Sequence, residues 1–201
     1  MEKQAQLSKH DESAGLRQAI LAAASNQFVS AGYHGASMRA IARESGASKA
    51  LLYYHFENKA DLYFRLLIEN IQDLGALVNE ARTAGGSVRE QMQILLRGIL
   101  GWSAEKRTMI YQARQEIKHL DMELRRQFME KFHRQFIGQI EAILEAGMQQ
   151  GEIRTMDPAL TAQLFFGMAM APMIPEDMKQ GDRSTHIIEA ILQIYFEGVA
   201  A

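Results

Sequence analysis

Two Glu-x-x-His pairs, Glu116 with His119 and Glu130 with His133, carry residue types that could hold a metal ion. A carboxylate and an imidazole three residues apart share one helix face, as in di-iron carboxylate bundles, and two copies could make an oxidase. Such a centre also needs the two motifs on facing helices and a glutamate from each of two others. Only ten residues separate His119 from Glu130, too few for a helix to end, turn back and bring both motifs to one level. A different chemistry is available between Lys49 and His55. There Ala50, Leu51 and Tyr54 can share one face, flanked by Lys49, Tyr53 and His55. An apolar face with a phenol suits a DNA major groove, where thymine methyls accept apolar contact and a phenol reaches a base edge or a phosphate.

The elements that must present this face are two short helices. Ser37 and Ser48 stand where a hydroxyl can accept from the free amides of a first helical turn, and Gly46 supplies the left-handed residue that stops the first helix. Met38, Ile41 and Ala42 give that helix one apolar side, and Leu52 and Phe56, four apart, do the same for the second. At about 100° per residue, Leu52 and Phe56 point inward and Ala50, Leu51 and Tyr54 outward. Phe56 belongs to the core; Tyr53 fits a core position and a groove position equally. The unit is a helix-turn-helix, a geometry that an ordinary helical corner can also adopt.

The run from Arg17 through Leu62 carries IleLeuAlaAlaAla at 20 to 24, Phe28, Gly32-Tyr33, Ser37, Ile41-Ala42, Gly46, Ser48, LeuTyrTyrHisPhe at 52 to 56, and Lys59. In these positions it resembles the TetR family of transcriptional regulators. The resemblance implies an all-helical homodimer whose amino-terminal three-helix domain binds a palindromic operator in double-stranded DNA and whose carboxy-terminal domain binds a small inducer. It makes Ser37, Ser48, Tyr54, His55 and Lys59 phosphate contacts and sets Lys49, Ala50 and Leu51 at base-facing positions, with Arg39 and Tyr53 completing the candidate DNA-binding set. Ala50 and Leu51 lack hydrogen-bonding groups, so thymine methyl contacts and shape readout should outweigh polar base contacts. Repression, the family's usual outcome, is the expected mode.

Composition agrees. The 201 residues, 47% of them apolar, suffice for one small and one larger domain. The net charge of -2 is unevenly spread: residues 1 to 60 hold seven Lys or Arg against five acids, and the remainder 15 against 19. A weakly basic head on an acidic body predicts limited non-specific affinity and operator binding that falls as salt rises. With no cysteine, a disulfide framework, a thiolate zinc site and a redox thiol are excluded. The polar leader MEKQAQLSKHDES reads as neither signal peptide nor anchor, and no apolar run reaches the roughly 18 to 20 residues of a membrane span, so a cytoplasmic protein is expected. No Gly-rich phosphate loop, nucleophile elbow or strand pattern is present, so neither an enzyme nor a cofactor is expected.

The expected fold is all-α with about nine helices: a helix-turn-helix domain over 13–60 and a ligand-binding and dimerisation domain over 61–201. Asn58 can cap a connecting helix from Lys59 toward Arg82, which Gly85-Gly86-Ser87 interrupts. Ser87 starts the next helix, and Ser103 to Arg107 turns the chain into another. Leu120, Leu124, Phe128, Phe132, Phe136, Ile140, Leu144 and Met148 then recur every four residues. That period overshoots a helical turn by about 40°, so the stripe should wind around its helix. Gly147 and Gly151 should close it, and Asp157-Pro158 restart the chain with a cap and a first-turn proline. The last two helices are apolar on more than one side, which fits a dimer interface. Trp102, Met109, Tyr111, Phe128, Phe132, Phe165, Phe166 and Met168 are candidates for contacting a largely apolar inducer, such as an acyl chain, an aromatic compound or a lipophilic drug; three or four of them should touch it. Arg107, Arg114 or His133 could meet an acid group. A helical adaptor that binds proteins and not DNA would share this fold.

Overall fold

The computed structural model describes residues 2–171 and 182–199, and every regular element among them is helical. The order is α1 (Glu2–Gly35), α2 (Met38–Ser45), α3 (Lys49–His55), α4 (Lys59–Ala84), α5 (Val88–Leu100), α6 (Ala104–Glu116), a 3-10 turn (Ile117–His119), α7 (Met122–Phe132), a π-helical turn (His133–Ile137), α8 (Gly138–Gln149), α9 (Pro158–Met170) and α10 (Asp182–Val199). Because α7, the π-turn and α8 run on as one rod, the described residues contain nine helical rods, as the sequence leads one to expect.

The helix starts lie where short polar side chains can stand in for missing carbonyls. Ser37 accepts from the amide of Ala40 at 3.2 Å, Ser48 from Leu51 at 3.2 Å and Asn58 from Asp61 at 2.9 Å. Ser87 and Glu90 form a reciprocal capping box, and Asp157 accepts from Ala159 and Leu160 ahead of Pro158. Each such cap is worth about 1 kcal/mol, so the local sequence fixes where the chain turns. Gly46, at φ 71°, ends α2 in the left-handed region.

Two apolar cores form. The head core joins Ile20, Ala24 and Phe28 of α1 to Ile41, Leu52 and Phe56, and it continues past residue 60 into Leu62, Leu66 and Leu67 of α4. It also takes in Met109 and Ala113 of α6 and Leu120. The body core starts at Leu74 of α4 and gathers Leu95 and Ile99 of α5, Ile110 of α6, Phe136, Ile140 and Leu144 of the long rod, Phe165 of α9, and Leu192 and Tyr195 of α10. The handover between cores therefore falls inside α4, and α6 serves both.

The period-four stripe is accommodated by the π-turn. Phe136, Ile140 and Leu144 are fully buried on one side of the rod, while Phe128 and Phe132 stay half-buried. An α-helix alone would carry a four-residue repeat around its surface, whereas a wider turn of i→i+5 bonds takes up the overshoot and returns the stripe to the core. Gly75 allows it: a Cβ there would stand 2.9 Å from the carbonyl oxygen of Gln135, inside the π-turn. Gly147 differs from its expected role. It lies buried within α8 against Val88, and the helix ends instead near Gly151, at φ 73°.

Gly147→Ala should therefore destabilise the chain by about 1–3 kcal/mol, because the new methyl meets a β-branched Val88 side chain that has little freedom to move. Urea unfolding checks this. The same substitution in a Val88→Ala background should cost measurably less.

Candidate nucleic-acid interface and ligand cavity

The outward face of α3 is set by what α3 buries. Leu52 and Phe56 are 0% and 1% exposed, which leaves Leu51 45%, Tyr53 44% and Tyr54 81% exposed on the far side. Tyr53 thus takes the outward of its two expected positions, with the Lys49 ammonium 5.8 Å from its ring centre. Lys49, Ala50 and Arg39 are exposed, and His55, half-buried, packs its ring against Tyr54. Ser37 and Ser48 use an acceptor lone pair for capping, which leaves each hydroxyl proton free to donate to a phosphate. Eight of the ten candidate residues are thus exposed, and His55 is half-buried.

Lys59 is the tenth. Its ammonium donates to the carbonyl oxygens of Tyr33 (2.8 Å), Ala36 (3.0 Å) and His34 (3.4 Å) and sits 4.7 Å from the Tyr33 ring centre. These are end-of-helix carbonyls, and a cation there complements the helix dipole. Lys59 therefore fastens the end of α1 to the start of α4. A further clamp escaped the sequence reading: the side chains of Asn26 and Gln27 donate to Glu44 at 2.9 and 2.7 Å, tying α1 to α2 and holding the Glu44 carboxyl below its usual range.

In the body, a cavity of about 710 Å³ opens between α4, α6, α7, the π-turn and α9. Of the eight expected contacts, Phe128, Phe132 and Phe166 line it. Met109 lies instead in the head core and Phe165 in the body core, while Trp102, Tyr111 and Met168 pack against the body core away from the cavity. Much of the wall is aliphatic and came from helices read as structural: Leu67, Ile71 and Leu74 of α4, and Ile110, Ala113 and Ile117 of α6 and its 3-10 turn. The spacing of 67, 71 and 74 on α4 was the available signal, but the same spacing marks any core stripe. Polar groups are few: Asn70, His133 and Gln163. Arg107 is spent on the carbonyls of Leu100 (2.8 Å) and Trp102 (2.6 Å), and the side chain of Arg114 lies outside the described residues.

The Glu-x-x-His pairs do not assemble. His119 lies 3.6 Å from Glu116, whereas Glu130 is engaged by Arg126 and His133 faces Glu141 at 3.8 Å. Among the described residues no group of three or more His, Cys, Asp or Glu is placed to hold a metal ion. Likewise, among them no helix is long and apolar enough to cross a membrane.

Comparison with known proteins agrees with both halves of this geometry. The family model described as bacterial regulatory proteins, tetR family, matches residues 20–66, and that described as tetracyclin repressor-like, C-terminal domain, matches residues 85–172. The HTH-type transcriptional regulator YhgD of Bacillus subtilis is 23% identical over 178 residues, 88% of this chain and 92% of its own. The crystal structure of the transcriptional regulator FadR from Bacillus subtilis in complex with stearoyl-CoA superposes with a TM-score of 0.73 at 22% identity, covering 87% of this chain and 97% of that one. The ketosteroid transcriptional regulator KstR2 of Mycobacterium tuberculosis does so with a TM-score of 0.74 at 19% identity, covering 92% and 95%. With the helix-turn-helix and the carboxy-terminal domain both matched, this chain belongs to the TetR family: it is a DNA-binding transcriptional regulator and not an enzyme.

Proposed function

We propose that the protein is a cytoplasmic homodimeric repressor that leaves a palindromic operator when a largely apolar inducer fills the body cavity. The observation that carries the reading is the face of α3, where Leu51, Tyr53 and Tyr54 stand exposed beside Lys49. Large apolar side chains gathered on water need a partner surface, and a major groove fits their size and chemistry. On this reading Lys49, Ala50 and Leu51 face bases, and Ser37, Arg39, Ser48, Tyr54 and His55 grip phosphates, with Tyr53 at the edge. Ile194 of α10, exposed although large and apolar, supports pairing of two copies through the carboxy-terminal helices. A dimer presents two heads related by a twofold axis and so reads a palindrome.

The cavity's volume lies within the roughly 300–1,000 Å³ of small-molecule sites, and its wall is aliphatic and aromatic with few polar groups. The stearoyl chain of the stearoyl-CoA bound by FadR and the ketosteroid in the name of KstR2 are both largely apolar, which supports an inducer with an acyl or polycyclic part here. The cavity adjoins the head through Leu67, Ala113 and Ile117, so an occupant that displaces these walls changes how the head is held.

Selection of bound duplexes from a random DNA pool tests the reading directly: wild-type protein should enrich one palindrome, and a pool left without enrichment would sink it. Tyr54→Ala and Lys49→Ala should lose specific binding, by about tenfold or more, with unchanged fold and mass by circular dichroism and light scattering. Lys59→Ala should behave differently, lowering the unfolding free energy of the DNA-free protein by about 1–3 kcal/mol, since three carbonyls lose their donor. Gly167 lines the cavity and has open space where a Cβ would go. Gly167→Leu should therefore leave stability and operator affinity intact while weakening inducer binding, read by operator release in a gel-shift titration with acyl-CoA.

A further inference from the structure

The head meets the body at a histidine pair that the regulatory reading does not use. Gly32 breaks α1 at φ 68°, and the turn after it carries Tyr33 and His34 to the 3-10 turn that follows α6. His34 Nε2 and His119 Nδ1 are 3.1 Å apart, with the rings at 75° and their centres 4.2 Å apart. The His119 ring also stacks on Tyr33, at 5.8 Å and 5°. Two ring nitrogens at this distance need one proton between them, one ring donating and the other accepting. The pair can satisfy that rule with both rings neutral or with one extra proton. With a second proton both nitrogens become donors, and two like charges face each other.

The groups around the pair set its charge balance. From α6, Glu116 brings Oε2 to 3.6 Å from His119 Nε2, and this oxygen is buried without a hydrogen-bond partner. From α4, the Lys59 ammonium lies 3.4 Å from the His34 carbonyl oxygen and over the Tyr33 ring, and it opposes a second proton on the pair. The Tyr63 hydroxyl, also from α4, is buried without a partner beside Tyr33 and stays protonated, its titration pushed up by burial and by Glu116. Lys118, on the turn itself, is exposed. One carboxylate thus offsets one lysine, and the first proton leaves the cluster with a single surplus charge that the second would double.

We propose that His34 and His119 form a proton-sensitive clasp between head and body, closed by one shared proton while at most one ring is charged and opened when both rings are charged. Imidazole is the side chain whose charge changes near neutral pH, so the clasp responds to modest acidification. The sign follows from proton counting: the unfolded chain takes up two protons where the closed pair takes one, so the clasp's contribution is present at higher pH and lost as acid is added.

A double-mutant cycle on the full chain tests this without DNA or inducer. His34→Ala removes one nitrogen partner, and His119→Phe keeps the ring that stacks on Tyr33 while removing the other. Urea unfolding of wild type, both single variants and the double variant gives the coupling between the positions at pH 8 and at pH 5. The expected coupling is about threefold in the unfolding equilibrium at pH 8, the range of a partly exposed polar pair, falling to none or reversing at pH 5. Equal coupling at the two pH values, or none at pH 8, overturns the clasp. Ring NMR of the wild type gives a reading without substitution: the two histidines must titrate as one coupled pair in two steps, and two independent single-proton curves overturn the proposal.

Discussion

Two helices serving two cores is the constraint on which the rest of the molecule depends. On α6, Met109 and Ala113 pack into the head while their neighbour Ile110 packs into the body. On α4, Leu67 belongs to the head and Leu74 to the body, with Ile71 lining the cavity between them. Interiors packed to near-crystal density pass a displacement on instead of absorbing it, so neither helix can shift in one core without straining the other. The cavity lies where the two cores share walls, and its occupancy bears on the head for that reason.

The outward face of α3 was legible in the sequence because it is local. Caps at Ser37, Ser48 and Asn58, a left-handed glycine at 46 and a four-residue apolar spacing in α3 act within one or two turns, and each holds in the structure. The side-chain directions on α3 follow from them by arithmetic. Lys59 escaped because its partners, the carbonyls of Tyr33, His34 and Ala36, lie on a different helix end more than 20 positions earlier. Residue type told of a cation but not of which oxygens would claim it.

The cavity was legible only in part, since five elements meet to form it and helical periodicity reports one face at a time. Phe128, Phe132 and Phe166 could be named for their type, but Phe165 has the same type and lies in the solid core one helix position away. The long rod shows the same limit. Its four-residue repeat announced that a regular helix would not fit, yet where the excess would be taken up depended on Gly75 of α4, some 60 positions earlier, which leaves room for the π-turn's backbone. Gly147 looked like a terminator for the converse reason: glycine both ends helices and lets them approach, and only Val88 on the facing helix decides between the two.

The outward face of α3 has a thermal consequence. On the proposed reading Leu51, Tyr53 and Tyr54 leave water as they enter a groove, and removal of apolar surface from water gives association a negative heat capacity change. That contribution weakens on cooling, whereas release of counterions from phosphates depends chiefly on salt. A head with few charges and an apolar face would thus hold its site less firmly in the cold, and the temperature of the cell would become an input to the switch alongside any small molecule.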